Sequence, residues 1–244
     1  MNGGQGRSCL FCGRTDLTKE DVLPLWISRA LREATGVRNF TADTPKGQWN
    51  PGMINLQVRA FCGEHCNSGW MSRMENQTKP ILSRYMLAEH PRVLTAGSQE
   101  ALAAWAYKTF LTMAAWHDQT LISRQEYERF YIERHPGSAA IMWMGAYSGD
   151  QWASKFRIRG VDIRGGGRVF EAPHNAVTAV FNIFRVVFVI FRWFGARMEG
   201  ETGEQLDPRQ HLSRIWPVTS PYIRWPVGHA FTEDEYATFE VSPD

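Results

Sequence analysis

Beyond two close pairs, Cys9 with Cys12 and Cys62 with Cys66, the chain has no cysteine. No surplus thiols exist for a disulfide framework, and in a chain without an export signal such pairs suit metal better than disulfides. The export signal is the second absence. The opening MNGGQGRSC is polar and Gly-rich with no apolar core, so residues 1–8 read as a flexible tail and the expected location is the cytoplasm. Net charge is also scarce, at +2 with a pI of about 8.4, so only a local basic face could attract a polyanion. The one long apolar run, Ala176 to Gly195, is interrupted by Asn182, Arg185 and Arg192 and is rich in Val, Phe and Ile. That composition favours buried strands over a lipid-facing helix, and no membrane association is expected.

What is present is core material: 244 residues, 43% of them apolar, suffice for one large domain or two small ones. After the knuckle CLFCG (Cys9 to Gly13), Leu23, Trp26, Ile27, Ala30 and Leu31 recur at helical spacing and place a helix start near Pro24. Residues 37–54, rich in Gly, Pro, Thr and Asn, read as a loop. Ile54 to Phe61 alternates as a strand and delivers the second cysteine pair. A helix is expected from Ser68 to about Leu87, with Asn67 or Ser68 as its cap and Pro80 as a point for a kink. Another spans about Gln99 to His117, with Leu102, Trp105, Ala106, Thr109, Phe110 and Met113 as its apolar stripe.

Ser123 and Glu126 are spaced as a capping box for a third helix. From there the pattern turns strand-like at Ala139 to Tyr147, Trp152 to Arg164, Arg168 to Glu171 and 176–194, with Gly165 to Gly167 as a turn. The expectation is an α+β fold: an N-terminal module over 9–88, then helices and an antiparallel meander over 89–244, either separate from the module or packed with it as one domain. A short last helix capped by Thr232 and Glu235 closes the chain.

The spacings C-x2-C and C-x3-C supply four thiolates, Cys9, Cys12, Cys62 and Cys66, for a tetrahedral ion with no open position, which is the description of a structural zinc site. His65 lies inside the second pair, so a Cys3His shell with His65 in place of Cys66 is an alternative, and four buried free thiols are another. Such a site adds folding free energy without implying catalysis.

The segments CLFCG, LTKEDVLPLW and FCGEHCNSGWMSRMEN, across Cys9 to Pro80, resemble the zinc-stapled HNH, or ββα-metal, endonucleases. The resemblance implies a metal-dependent endonuclease or close derivative acting on DNA, with Glu20 in the place of the metal-binding acid, Asn67 on the family's Asn and Glu75 near its third residue. Asp21 stands where the family's general-base His stands. Its ordinary pKa of about 3.9 makes it a poor base at neutral pH and a better ligand for magnesium or manganese. His65 is the nearest imidazole. Arg59, Trp70, Arg73 and Lys79 are the candidate nucleic-acid contacts, with Lys46 and Arg84 nearby in sequence.

The same residues have plainer readings. Glu20 and Asp21 can be first-turn acids of a helix capped by Thr18, Asn67 a helix cap, Glu75 with Lys79 an exposed ion pair, and Trp70 a core anchor. The alternative function is a catalytically inactive module of that fold that binds nucleic acid or a protein partner, and the family's occurrence in bacteria and their phages implies a place in phage biology or defence. A third possibility is a C-terminal scaffold carrying an unrelated site.

Overall fold

A helix that is apolar all round has to be surrounded, and the segment Ala96–His117 is such a helix, with nearly every side chain from Leu102 to Ala115 buried. The protein is assembled around it. The structure, a computed structural model, describes residues 8–35, 42–44, 47–49, 57–86, 92–149, 156–162, 174–195, 211–226 and 228–239.

In chain order the elements are β1 (Leu17–Asp21), α1 (Leu25–Thr35), β2 (Ala42–Thr44), β3 (Gly47–Trp49), β4 (Gln57–Gly63), a π-helical turn (His65–Met71), α2 (Ser72–Met86), β5 (Arg92–Thr95), α3 (Ala96–His117), α4 (Arg124–Glu133), β6 (Ala140–Ala146), β7 (Phe156–Val161), β8 (Ala176–Ile183), β9 (Val186–Trp193), β10 (Leu212–Trp216), β11 (Tyr222–Trp225) and α5 (Glu233–Thr238). The fold is α+β with antiparallel sheets. No described helix is long and apolar enough to cross a membrane.

The main sheet has five antiparallel strands in the order β10-β6-β9-β8-β7. Only β7-β8-β9 form a meander; β6 inserts between β9 and β10, which corrects the simple up-and-down order expected from sequence. Phe181, Phe188 and Ile190 face α3, with Trp105 against Phe188 at 6.1 Å between ring centroids. Trp143, Val180, Val189 and Phe191 face the other way, beneath Phe231 of the loop before α5 and Tyr236 of α5 itself. A sheet covered on both faces needs apolar residues at consecutive positions, which is why 176–194 reads as an unbroken run rather than an alternation.

One cluster of buried side chains runs from Phe11 through α2 and α3 to Trp225, so 9–88 and the rest share a core. Three local expectations are corrected. The segment Leu17–Asp21 is a strand rather than a helix start, so Glu20 and Asp21 are not first-turn acids. Residues 42–44 and 47–49 pair as a hairpin inside the expected loop. Ser123 makes no side-chain cap and the Glu126 carboxylate turns into the core. The expected strand at Arg168 to Glu171, the turn at Gly165 to Gly167 and Lys46 lie outside the described residues.

Candidate metal centre and the carboxylate pair beside it

The knuckle closes on itself through backbone bonds: Gly13 N donates to Cys9 O at 2.9 Å and Cys9 N to Arg14 O at 2.7 Å. Gly13 has φ +76°, a conformation that suits the residue without a Cβ. The second pair arrives at the end of β4 and in the π-helical turn. At Gly63, between the two, a Cβ would stand 3.1 Å from the Asp16 carboxylate and 3.5 Å from Cys9 Cβ, so glycine is what lets this strand end lie against the knuckle.

The Sγ atoms of Cys9, Cys12 and Cys66 all lie within 4.8 Å of one another, a group able to hold a metal ion. Cys9 and Cys66 are 3.8 Å apart. A tetrahedron with bonds of about 2.3 Å to sulfur has edges of about 3.8 Å, so this pair already has the spacing of two ligands on one ion. Cys62 is fully buried beside them, its Sγ 3.6 Å from the Met71 sulfur and 3.6 Å from the Gly63 carbonyl. Hydrogen bonds from the Cys62 and Cys66 thiols lower the pKa of Cys9. Its bonds to Cys66 and Cys9, then burial, raise that of Cys62. At Cys66 the bond from Cys62 works downward, but Cys9 and burial win and the thiol is pushed up to about 12. A bound cation would draw these thiols on as thiolates, releasing their protons. His65 is not in this group: it is exposed, with Nε2 3.4 Å from the Tyr131 hydroxyl.

β1 pairs with β4, and its register shifts between Thr18 and Lys19. Asn67 fills this irregularity, its Nδ2 donating to Lys19 O at 2.9 Å and Thr18 Oγ1 at 3.3 Å. It is therefore a tie between the π-helical turn and the bulged strand rather than a helix cap. Past the bulge Glu20 turns inward, 3% exposed. Asp21, next along the strand and half-buried, points to the other face opposite Gln57.

Glu20 meets Lys108, a residue the sequence reading passed over. The Lys108 ammonium, at 0% exposure on α3, sits 3.1 Å from Glu20 and 2.8 Å from Glu75 of α2. Burial opposes its charge, but the two carboxylates outweigh burial and hold its pKa above the ordinary lysine value. Burial raises the pKa of Glu20, against the pull of Lys108. Glu75 is thus committed to Lys108, not to Lys79, whose Nζ lies over the Trp26 ring at 5.9 Å. Of the four positions that the HNH resemblance singles out, Glu20, Asp21, Asn67 and Glu75, the carboxylates of Glu20 and Glu75 meet, with a fixed ammonium between them. The sequence signal was a single lysine inside the otherwise apolar span of α3.

Trp70 is 5% exposed, edge-on to Phe11 and Phe130, and the Arg134 guanidinium covers its ring at 4.2 Å. Stacking on a base would require Arg134 to leave. Arg73 and Lys79 are exposed on α2, while Arg59 pairs through its backbone with Lys19 and its side chain lies outside the described residues. No family, no curated protein and no solved structure matches the chain.

Proposed function

We propose that the chain is a zinc-stapled, HNH-derived module that binds DNA without cleaving it. The observation that carries this reading is Lys108. A divalent cation held by Glu20 and Glu75 would need the space and the charge balance that the lysine ammonium takes, 3.1 and 2.8 Å from the two carboxylates. Carboxylates already neutralised by a buried cation do not suit magnesium or manganese, which require near-neighbour oxygens and bound waters. No catalytic step is therefore assigned to them. Asn67 is likewise occupied in holding β1.

Zinc fits the thiol cluster: Cys9, Cys12 and Cys66 converge, and Cys62 adjoins them as the fourth sulfur. The staple fixes the start of α2 against β1. On α2 Arg73 and Arg84 share one exposed face, three turns apart, with Lys79 exposed about a third of a turn round from them and Glu75 withdrawn to Lys108. A cationic, acid-free helix face suits a phosphate backbone.

Two measurements test the reading. Metal analysis of protein purified without chelator is expected to give one zinc per chain, lost in Cys9→Ser. Incubated with supercoiled plasmid in magnesium, manganese or nickel, the protein is expected to retard the plasmid in a gel and leave it intact. Metal-dependent nicking that Glu20→Gln abolishes would reinstate the endonuclease; failure to retard DNA at low salt would remove DNA as the partner.

A further inference from the structure

Trp70 joins the π-helical turn to the end of α4, and the charge gathered around it is all of one sign. Its ring stands edge-on to Phe130 and Tyr131 of α4, 5.8 and 6.3 Å away between centroids. Arg134, which ends α4, lays its guanidinium 4.2 Å from the Trp70 centroid and 4.3 Å from that of Tyr131. The Tyr131 hydroxyl in turn lies 3.4 Å from His65 Nε2. Arg73, one helical turn beyond Trp70, is exposed at the start of α2.

Two features of Arg134 are unexplained by the fold alone. It adopts φ +62°, at a helix end where that conformation favours glycine. Its Nη1 is buried with no hydrogen-bond partner, and among the described residues neither Arg134 nor Arg73 has a carboxylate at ion-pair distance. The neighbouring acids are engaged elsewhere: Glu64 accepts from Ser68, Glu128 holds Arg124 at 2.9 Å and Glu133 holds Arg129. Burial lowers the pKa of Arg134, Tyr131 and Cys66 act upward, and the Arg73 charge adds to the downward pull. Two guanidinium groups close enough to repel, with no acid between them, are relieved by an anion that joins them.

We infer that Arg134, Arg73, His65 and the Tyr131 hydroxyl bind one phosphate group, an inference that rests on the DNA-binding reading above for the source of that phosphate. A tetrahedral anion suits these donors, because each planar guanidinium meets two of its oxygens at once while the imidazole and the phenol supply single donors. The Trp70 ring orients Arg134 and is not a stacking partner for a base. Tyr131 and Arg134 lie outside the segment that resembles the HNH proteins, and Glu20, Glu75 and Lys108 take no part.

The experiment uses the full zinc-loaded chain and a fluorescein-labelled duplex of about 20 base pairs, titrated by anisotropy across a range of salt. Arg134→Ala and Arg73→Ala are each expected to bind on the order of tenfold more weakly. Their double variant is expected to lose about 0.9 of the log–log salt slope, as for one phosphate, rather than about 1.8 as for two. Arg134→Lys keeps the charge without the fork and should bind more weakly at the parent's slope. Inorganic phosphate should displace the duplex from the parent better than chloride at equal ionic strength, an advantage lost in Arg134→Ala. Arginine variants that both match the parent would overturn the site while leaving DNA binding intact. An equal loss in Arg224→Ala, on β11, would reduce the effect to net charge and overturn it too. Zinc lost from Arg134→Ala with duplex binding unchanged would make the guanidinium a counter-ion of the thiolates instead. A parent that binds inorganic phosphate in calorimetry but no duplex would keep the site and overturn the reading beneath it.

Discussion

Two buried charge clusters flank α3, and they are built on opposite balances. On one side two carboxylates, Glu20 and Glu75, share one ammonium, Lys108. On the other, one buried carboxylate, Glu126, serves two guanidinium groups and a phenol: Arg192 at 2.6 Å, Arg129 at 2.6 Å and the Tyr107 hydroxyl at 2.5 Å. Arg129 has a second carboxylate in Glu133, but among the described residues Arg192 has only Glu126, and its Nε and Nη1 have no hydrogen-bond partner there. The first cluster reaches an edge at Glu75, 22% exposed on its side chain, and the second at Arg129, also 22%, but the Arg192–Glu126 pair within the second is enclosed, at 8% and 4%. The difference teaches where a lost partner costs most. A group near an edge regains water when its partner goes, and an enclosed one does not.

The largest expected effect follows from that. Glu126→Gln removes the one negative charge facing Arg192 and should cost about 3–5 kcal/mol, measured as a lower urea midpoint at unchanged slope. Arg192→Met should cost less, because Glu126 keeps Arg129 and Tyr107. A larger loss for Arg192→Met than for Glu126→Gln would break the comparison at its stronger end.

Lys108→Met comes next, with an expected loss of about 3 kcal/mol from two carboxylates left facing each other. The double variant Lys108→Met/Glu20→Gln should recover part of this, because the residual Glu75 can turn to solvent. Additive losses in the two single variants and their double would show that the ammonium does not bridge the pair.

A smaller effect separates the clusters by pH. Burial opposes the charge of Glu126, but hydrogen bonds from Arg129 and the Arg192 guanidinium outweigh it and hold the carboxyl below the usual carboxylate range. A folded-state pKa below the unfolded value, about 4.3, gives stability that is present above that value and is lost as pH falls through the folded pKa. Melting temperature should therefore fall below about pH 4 more steeply in the parent than in Glu126→Gln. Parallel acid limbs would remove Glu126 as a source of acid sensitivity.

What the sequence disclosed depends on how local the cause was. The helical spacing of Trp26 and Ile27, the stripe of α3 and the double-sided run over β8 and β9 are periodicities, and each became the element it announced. The convergence of Cys9, Cys12 and Cys66 was legible from pairing. β1 was not: LTKED suits a helix start until β4, some forty residues on, supplies its partner. The β5–β11 ribbon joins residues 92–95 to 222–225 and was invisible for the same reason. The resemblance put Glu20 and Glu75 near each other, but the ion between them comes from α3. A lysine is a cation for any carboxylate that reaches it, and no spacing rule says which one will.

Glu126 supplies the smallest test, because its carboxylate cannot serve both a helix cap and the core. In α5 the capping box is complete: Thr232 Oγ1 accepts from Glu235 N at 3.3 Å and Glu235 Oε2 from Thr232 N at 2.8 Å. In α4 the same spacing of Ser123 and Glu126 forms no side-chain cap: Glu126 N donates to the Ser123 carbonyl at 3.1 Å, and the Glu126 carboxylate is held by Arg129, Arg192 and Tyr107. Thr232→Ala should therefore cost about 1 kcal/mol, the usual value of an N-cap, and Ser123→Ala less than about 0.5 kcal/mol. Denaturant midpoints of the two variants, measured side by side, decide it. Equal losses would mean that the Ser123 hydroxyl caps α4 in solution, in place of the 3.1 Å bond that Glu126 N makes to the Ser123 carbonyl.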